Sequence, residues 1–382
     1  MKILIAPNSF KDSLDAEDVA SCLEQGIRKA NPLLEIKKLP VSDGGDGLLK
    51  RLISATNGKL VRAIVTGPAG NKIETFYGVL GDNETALIES ALVVGSKFLP
   101  SEIKDPTKTT TYGIGELIKK ISKQGFNKLI IGLGGTTTND AGAGMMQALG
   151  VSFLDKNEKE VASGGIYLSS IETINLKKFD ENFKRLDITV ACNPSSLLSG
   201  PEGVSLIYSP KKGATQQQAK QLNGALYHFG LKLKEYLGKD LLSVRGAGGG
   251  GGIGASLLAF LNAKLLPSIK IIKKYMPIEY EIKNSDLIIT GEGKIDSRTL
   301  KGKIPGEIAK ISKLYGKPVI GVCGQLECER EHYKFFDAIY CISDGPNELD
   351  LAISKTNYCL ENAGYNIAKM IALKVPIRIK NA

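Results

Sequence analysis

The apolar positions of the chain fall into two patterns, one at its ends and another in its middle. The first residues form a continuous apolar run, KILIAP, then a polar loop, NSFKDS, a stretch of helical period over 16–30 and a second run, EIKKLPVSD. A helix between two short apolar strands predicts a parallel, doubly wound unit. From about Lys59 the β-type runs LVRAIVT, KIETFYGVL and ETALIES are divided by GPAGN and GDN, turns that predict antiparallel hairpins. Helical spacing returns in GIGELIKKISKQG, before a strand, KLIIGLGG, and a helix expected to start near Asn139. A long helix (QQQAKQLNGALYHFGLKLKEYL) and a glycine-rich helix start (GAGGGGGIGASLLAFL) follow. After Asp286 the strand–helix alternation resumes with DLIITG, PVIGVCG and FDAIYCIS as strands, and IPGEIAKISKLYG and a C-terminal stretch as helices. The expected fold is α/β. A Rossmann-like parallel-sheet domain is formed by residues 1–60 plus 277–382, with a second α/β domain, 61–276, inserted into it.

Composition narrows the class. With 382 residues, 42% hydrophobic and 24% charged, the chain is an ordinary globular one of two or three domains. No apolar run approaches the roughly 18 residues of a membrane span, and MKILIAP lacks the apolar core of a secretion signal, so neither membrane nor export is expected. Six cysteines without a CxxC pair fit buried thiols in a reducing cytoplasm better than disulfides or a zinc site. Two histidines, His228 and His332, nearly exclude a His-built metal site or a Ser-His-Asp triad. The formal charge of +10 comes from dispersed lysines, which suits solubility and attraction of small anions better than a nucleic-acid surface. Glycine, at 43 residues, is in excess, and much of that excess is clustered.

Five segments join glycine to Asp, Asn, Lys or Glu after an apolar strand: APNSFKDS, VSDGGDG, GLGGTTTNDAGAG, RGAGGGGGIG and ITGEGKIDS. In parallel α/β sheets ligands bind beyond the carboxyl ends of the strands, where amides and helix N-termini hold anions. Acids, amides, a few lysines and no histidine suit phosphoryl transfer. That reaction needs a phosphate cradle, a carboxylate-held Mg²⁺, a cation and an acid to take the hydroxyl proton. A P-loop is ruled out, because Gly302-Lys303 is followed by Ile304 and preceded by Ser297 where the first glycine belongs. Gly246, Gly248 and Gly251 match GxGxxG, so a nicotinamide-dependent oxidoreductase is the alternative. The acid expected about 20 residues on is replaced by IKIIKKYM.

Nearly the whole chain resembles the bacterial glycerate kinase family of the first type. The matching blocks are KILIAPNSFKDSL, LPVSDGGDG, DPTKTTTYGIGEL, IIGLGGTTTNDAGAGMMQALG, PKKGA, GAGGGGGIGASLLAFL, DLIITGEGKIDSRTLKGKIP and KPVIGVCG. The resemblance implies phosphorylation of D-glycerate by ATP with Mg²⁺, at the 2-hydroxyl, in a cleft between two α/β domains. It implies small-molecule substrates only, without nucleic acid or membrane, and leaves a homodimer open. Carried over by position, Lys11 would contact phosphate or the glycerate carboxylate, and Asp43 would meet Mg²⁺ or the substrate hydroxyl. Asn139 and Asp140 would begin a helix, Asn139 toward the substrate and Asp140 toward a metal or as a base. Glu292 and Asp296 would hold the metal, with Lys294 as the cation between them and Arg298 and Lys303 as further positive charges. Gly248, Gly249 and Gly250 would form a backbone wall for the phosphates or on the adenine side. For each group a structural alternative stands beside the functional one: an Asx-turn or cap for Asp43 and Asn139, a salt bridge for Glu292 and Asp296, close packing for the glycines. The chain departs from the family at ACNPSSLLSG, where Asn193 stands for an aspartate and Ser196-Leu197 for Asn-Pro; Lys294 and Arg245 are further departures. Asn193 would still hydrogen-bond a substrate hydroxyl. The same segment admits a degenerate, non-catalytic homologue that only binds ligand.

Overall fold

The structure, a computed structural model, describes residues 1–11, 13–99, 104–192, 195–300, 302–327, 329, 334–345 and 348–373. Asn193, Cys328 and His332 lie outside the described residues. In chain order the strands are β1 (Lys2–Ile5), β2 (Glu35–Lys38), β3 (Lys59–Thr66), β4 (Lys72–Val79), β5 (Thr85–Glu89), β6 (Lys128–Gly132) and β7 (Ser152–Leu154). They continue with β8 (Thr173–Asn175), β9 (Asp187–Cys192), β10 (Lys264–Pro267), β11 (Leu287–Asp296), β12 (Val319–Glu327) and β13 (Ala338–Cys341). The chain divides into two compact units, residues 1–42 with 277–382, and residues 43–276.

The first unit is built on a parallel sheet of order β13-β12-β11-β1-β2. Counted within the unit, this is the doubly wound order 2-1-3-4-5, whose switch point lies between β1 and β11. Ile3, Leu4 and Ile5 are fully buried, as a central strand covered on both faces requires. The helix Ala16–Ala30 starts at Asp15, whose carboxylate accepts from the Glu17 and Asp18 amides. Its acids in the first turn and Arg28 and Lys29 in the last both complement the helix dipole. Val19, Leu23 and Ile27 form its buried face, which packs with Leu360, Ala363 and Ile367 of the helix Thr356–Ile371. Two glycines let these helices touch at the backbone. A Cβ on Gly26 would stand 1.8 Å from the Glu361 carbonyl oxygen, and one on Gly364 would stand 2.3 Å from that of Leu23.

The second unit holds a six-stranded mixed sheet, β10-β9-β6-β5-β4-β3. The expected hairpins are present, with β3–β4 and β4–β5 antiparallel and β5, β6, β9 and β10 parallel. Residues 43–60, expected with the chain ends, group with this unit. The reason is packing: Leu49 and Ile53 of the helix Leu48–Thr56 lie so close over Gly78 that a Cβ there would meet them at 2.7 and 2.8 Å. The long helix Gln216–Leu237 opens with a capping box, Thr215 with Gln218, and closes on left-handed Gly238. Its Phe229 meets Phe153 edge-on at 5.7 Å, and Phe153 meets Phe260 of the helix Ile253–Leu261 at 6.2 Å. The helix expected near Asn139 starts later, at Ala143, after left-handed Gly142.

The Gly26 contact predicts its own test. Gly26→Ala forces the two helices apart and lowers stability by about 1–3 kcal/mol, the usual range for overpacking. A urea melt of the variant beside wild type measures this, and equal midpoints would refute the contact.

Candidate active site

In the first unit the polar groups gather where β11 ends, beside β1. Glu292 and Asp296 are each 6% exposed and Thr299 is 1% exposed. The chain turns back after β11, with the Thr299 amide donating to the Asp296 carbonyl at 2.9 Å. The Thr299 hydroxyl accepts from the Asp296 amide at 3.1 Å and donates to Glu292 Oε1 at 2.7 Å. Lys303 Nζ donates to Glu292 Oε2 at 2.7 Å and stands 4.0 Å from Asp296 Oδ1. Arg298 closes on Asp296 with its backbone amide at 2.8 Å and its guanidinium Nε at 3.0 Å. Burial works to raise the Asp296 carboxyl, but Arg298 and Lys303 outweigh it and hold it below the usual carboxylate range.

The sequence pairs these acids with Lys294. The structure gives that place to Lys303, while Lys294 pairs with Glu327 at the end of β12. Lys11 is exposed on the loop after β1, its amide 3.4 Å from where a Cβ on Gly293 would lie. The loop after β1 and the strand β11 therefore meet. Asn8, 4% exposed and bonded through its amide to the Gly291 carbonyl at 2.8 Å, fixes the first of them.

In the second unit the DGGDG turn lies over the end of β6. Gly45 and Gly134 approach so closely that a Cβ on Gly134 would meet Gly45 Cα at 2.6 Å. Ser268 Oγ donates to the Asp43 carbonyl at 2.6 Å. The carboxylates of Asp43 and Asp46 are on exposed residues, and Asp43 Oδ1 accepts from the Gly45 amide at 3.4 Å. Beneath this turn Glu89, 3% exposed, accepts from the amides of Gly47 at 3.0 Å and Leu49 at 2.8 Å. Burial pushes its carboxyl up to about 7; the two amides and Lys97 oppose the rise and Asp46 adds to it.

Asp140 does not have the surroundings of a base. It is 1% exposed and accepts from the Thr111 amide (2.8 Å), the Thr111 hydroxyl (2.9 Å), and the amides of Gly142 (3.0 Å) and Gly144 (3.3 Å). Burial raises its carboxyl against these four donors. Its work is to tie the TTT segment to the turn before the helix Ala143–Ala148. Asn139 caps no helix. Its Nδ2 donates to Ser205 Oγ at 2.7 Å, and its Oδ1 is buried with no hydrogen-bond partner. Lys212, from the PKKGA block, donates to Thr136 Oγ1 at 3.1 Å and the Thr138 carbonyl at 2.7 Å.

Gly248, Gly249 and Gly250 were expected as a phosphate wall, and their environment is that of close packing. A Cβ on Gly248 would meet the Leu197 carbonyl at 2.2 Å, and one on Gly251 the Thr138 carbonyl at 2.1 Å. Some of its amides are taken within the turn, Gly249 by the Gly246 carbonyl and Gly252 by that of Gly248, while Gly248 donates to the Ser196 carbonyl. No strand leads into it, since turns separate it from the helix Gln216–Leu237. The strand–turn–helix context of a dinucleotide fingerprint is absent there.

Sequence reasoning missed Thr299, Glu89 and Lys212. Thr299 and Lys212 sit inside quoted blocks, but a hydroxyl or second lysine in a motif carries no mark of its partner. Glu89 ends an apolar strand, where an acid is itself the signal. Among the described residues no three His, Cys, Asp or Glu side chains form a metal cage. Mg²⁺ commonly takes one or two carboxylates plus phosphate and water, and the paired, buried oxygens of Glu292 and Asp296 match that donor type.

Two α/β units with acids, cations and tight turns beyond parallel strands, and no P-loop, define the class: a phosphotransferase outside the P-loop fold. The profile of the Glycerate kinase family matches residues 3–372, and the chain belongs to that family. It is 39% identical to a "Glycerate kinase" of Bacillus subtilis (strain 168) over 375 residues, 98% of each chain. It is 40% identical to the "Glycerate 2-kinase" of Escherichia coli (strain K12) over 375 residues, again 98% of each. A crystal structure of a Salmonella typhimurium LT2 protein assigned as glycerate kinase 2 superposes with a TM-score of 0.76 at 39% identity, covering 97% of this chain and 98% of that one.

The Glu89 environment fixes a pH dependence. A carboxyl near 7 in the folded protein, against 4.5 when unperturbed, contributes stability that is complete below about 4.5 and lost as pH rises through 7. The displacement corresponds to about 3 kcal/mol. Unfolding free energies of wild type and Glu89→Gln across this window should show the decline in wild type and its flattening in the variant; parallel curves would refute it.

Proposed function

We propose that the chain transfers the γ-phosphoryl group of ATP to the 2-hydroxyl of D-glycerate, giving 2-phosphoglycerate and ADP, with Mg²⁺ as cofactor. The observation that carries this reading is the buried Glu292–Lys303–Asp296–Arg298 cluster beside the β1/β11 switch point. Ligands of doubly wound sheets bind at that point, and a cluster of two acids and two fixed cations suits a metal-bound polyphosphate. The names of the Bacillus and Escherichia relatives support glycerate as acceptor and the 2-position as product.

Catalysis of phosphoryl transfer is mostly positioning and charge stabilisation. Bound Mg²⁺ supplies neutralisation of the phosphate oxygens, and Glu292 and Asp296 would hold it. Thr299 and Lys303 fix the Glu292 carboxylate, and Arg298 fixes that of Asp296, so neither acid has to reorganise when charge moves. Lys303, and Lys11 on the adjoining loop, place positive charge toward an anionic group. The substrate oxygen forms a bond to phosphorus as the bond to the ADP oxygen breaks, and its proton passes to a carboxylate. Asp43 is the acid assigned to this step, because Asp140 is buried with four donors already on it. Lys212, held by Thr136 and Thr138, is a second cation for an anionic group of a substrate.

Among the described residues no helix is long and apolar enough to cross a membrane. The described cysteines, Cys22, Cys192, Cys323, Cys341 and Cys359, are free thiols, which supports placing the enzyme in the reducing cytoplasm.

The experiment pairs product identity with one substitution. With ATP, Mg²⁺ and D-glycerate, the product should be consumed by enolase directly, without a phosphoglycerate mutase. Glu292→Gln should lower kcat by at least about tenfold and change KM for glycerate less, since the lost stabilisation belongs to the transition state. A product that needs the mutase overturns the regiochemistry. An unchanged kcat at saturating Mg²⁺ overturns the role of the cluster.

A further inference from the structure

Glu89 takes no part in the reaction proposed above, yet it is one of the most deeply buried acids in its unit. It ends β5, in register with Gly132 of β6. Its two oxygens each hold one amide, Gly47 at 3.0 Å and Leu49 at 2.8 Å. These amides open the helix Leu48–Thr56, whose first residue is preceded by Gly47 in left-handed conformation (φ 86). Glycine has no side chain to cap that helix, so the capping group comes from a distant strand instead of from the chain just before it. An ionised carboxylate is the form favoured at a helix N-terminus. The charged groups that bear on it are Asp46, on the loop it holds, and Lys97, on the turn Ser96–Phe98.

We propose that Glu89 is a positioning residue whose ionised carboxylate latches the 43–47 loop, and that its protonation releases the latch. The inference rests on the reading that Asp43, on this loop, belongs to the active site. A neutral carboxyl keeps one strong carbonyl acceptor, while its hydroxyl oxygen accepts only weakly and now carries a proton to donate. With one amide on each oxygen, protonation weakens the hold on either Gly47 or Leu49. The position of the Glu89 carboxyl near neutrality puts this change in the working range of the protein. Ionising Glu89 costs stability and orders the loop, so the two effects of pH run in opposite directions.

The test measures hydrogen exchange of the Gly47 and Leu49 amides across the neutral range, corrected for intrinsic rates, beside kcat/KM profiles for D-glycerate. In wild type, protection of these amides should fall by about tenfold as pH drops through 7. In Glu89→Gln it should be low and independent of pH, and the acid limb of kcat/KM should disappear. Glu89→Asp keeps the charge but is one methylene shorter; it should hold one amide and not both, and it serves if the Gln variant fails to fold. Protection that does not change with pH in wild type, or that survives in both variants, overturns the latch. Protection that follows Glu89 while kcat/KM does not leaves the latch standing and removes the 43–47 loop from the active site.

Discussion

The parallel pairing of β1 with β11 is the contact on which the first unit depends. It joins residues 3–5 to residues 287–289, and the hydrogen bonds run on past the strand, from Ala6 to the Ile289 carbonyl and from Asn8 to that of Gly291. Thr290 reinforces it from the side, its hydroxyl donating to the Ala6 carbonyl at 2.7 Å. Everything from Asp43 to Met276 lies in the loop this pairing closes. The entropy of closing a loop rises only logarithmically with its length, so a compact unit can occupy that loop at modest cost. What it fixes is position. The pairing sets the APNSFK loop beside GEGKID, and the acid and cation cluster forms where sheet order reverses.

The second unit, besides its own long-range strand pairings, uses buried carboxylates to hold its loops. Asp140 and Glu89 have the same functional group and nearly the same burial, and burial raises the carboxyl of each. Four donors surround Asp140, two of them amides in the turn it closes, so it is spent on structure. Glu89 has two donors and an acidic neighbour, Asp46, which leaves it near the point of taking a proton.

Period and turn chemistry made the fold legible: the parallel ends, the hairpins of β3 and β4 and the capped helix Gln216–Leu237 all follow from local pattern. Other features required contacts that no window of sequence contains. The helix expected at Asn139 fails because Asp140 holds the segment open through Thr111, a residue 29 positions away. The first boundary fell short of expectation because Leu49 and Ile53 find Gly78, not the strand before them. At the site, the GEGKIDS block marked Glu292 and Asp296, and Arg298 and Lys303 were read as charges near them. Of three basic residues the sequence pointed to Lys294, yet it was Lys303, returning after the turn at Thr299, that reached Glu292, while Lys294 pairs with Glu327.

The glycines bear on how charge can be stabilised at all. In a P-loop the backbone amides of a glycine-rich turn cradle the phosphates. In the longest glycine run of this chain, Gly249 and Gly252 donate to carbonyls of the same turn, and the missing side chains of Gly248 and Gly251 face Leu197 and Thr138. Glycine there permits close packing of backbone on backbone. Close packing at Gly248 and Gly251 limits how near a ligand can come to that part of the turn. A flexible lysine or arginine stabilises charge best when it is already held. The cluster supplies that restraint: Glu292 and Asp296 fix Lys303 and Arg298 in place before any substrate arrives, as the two cations fix the acids. Ion pairs formed within a partly buried cluster leave its charges preorganised, so little reorganisation is needed when a further charge is brought to them.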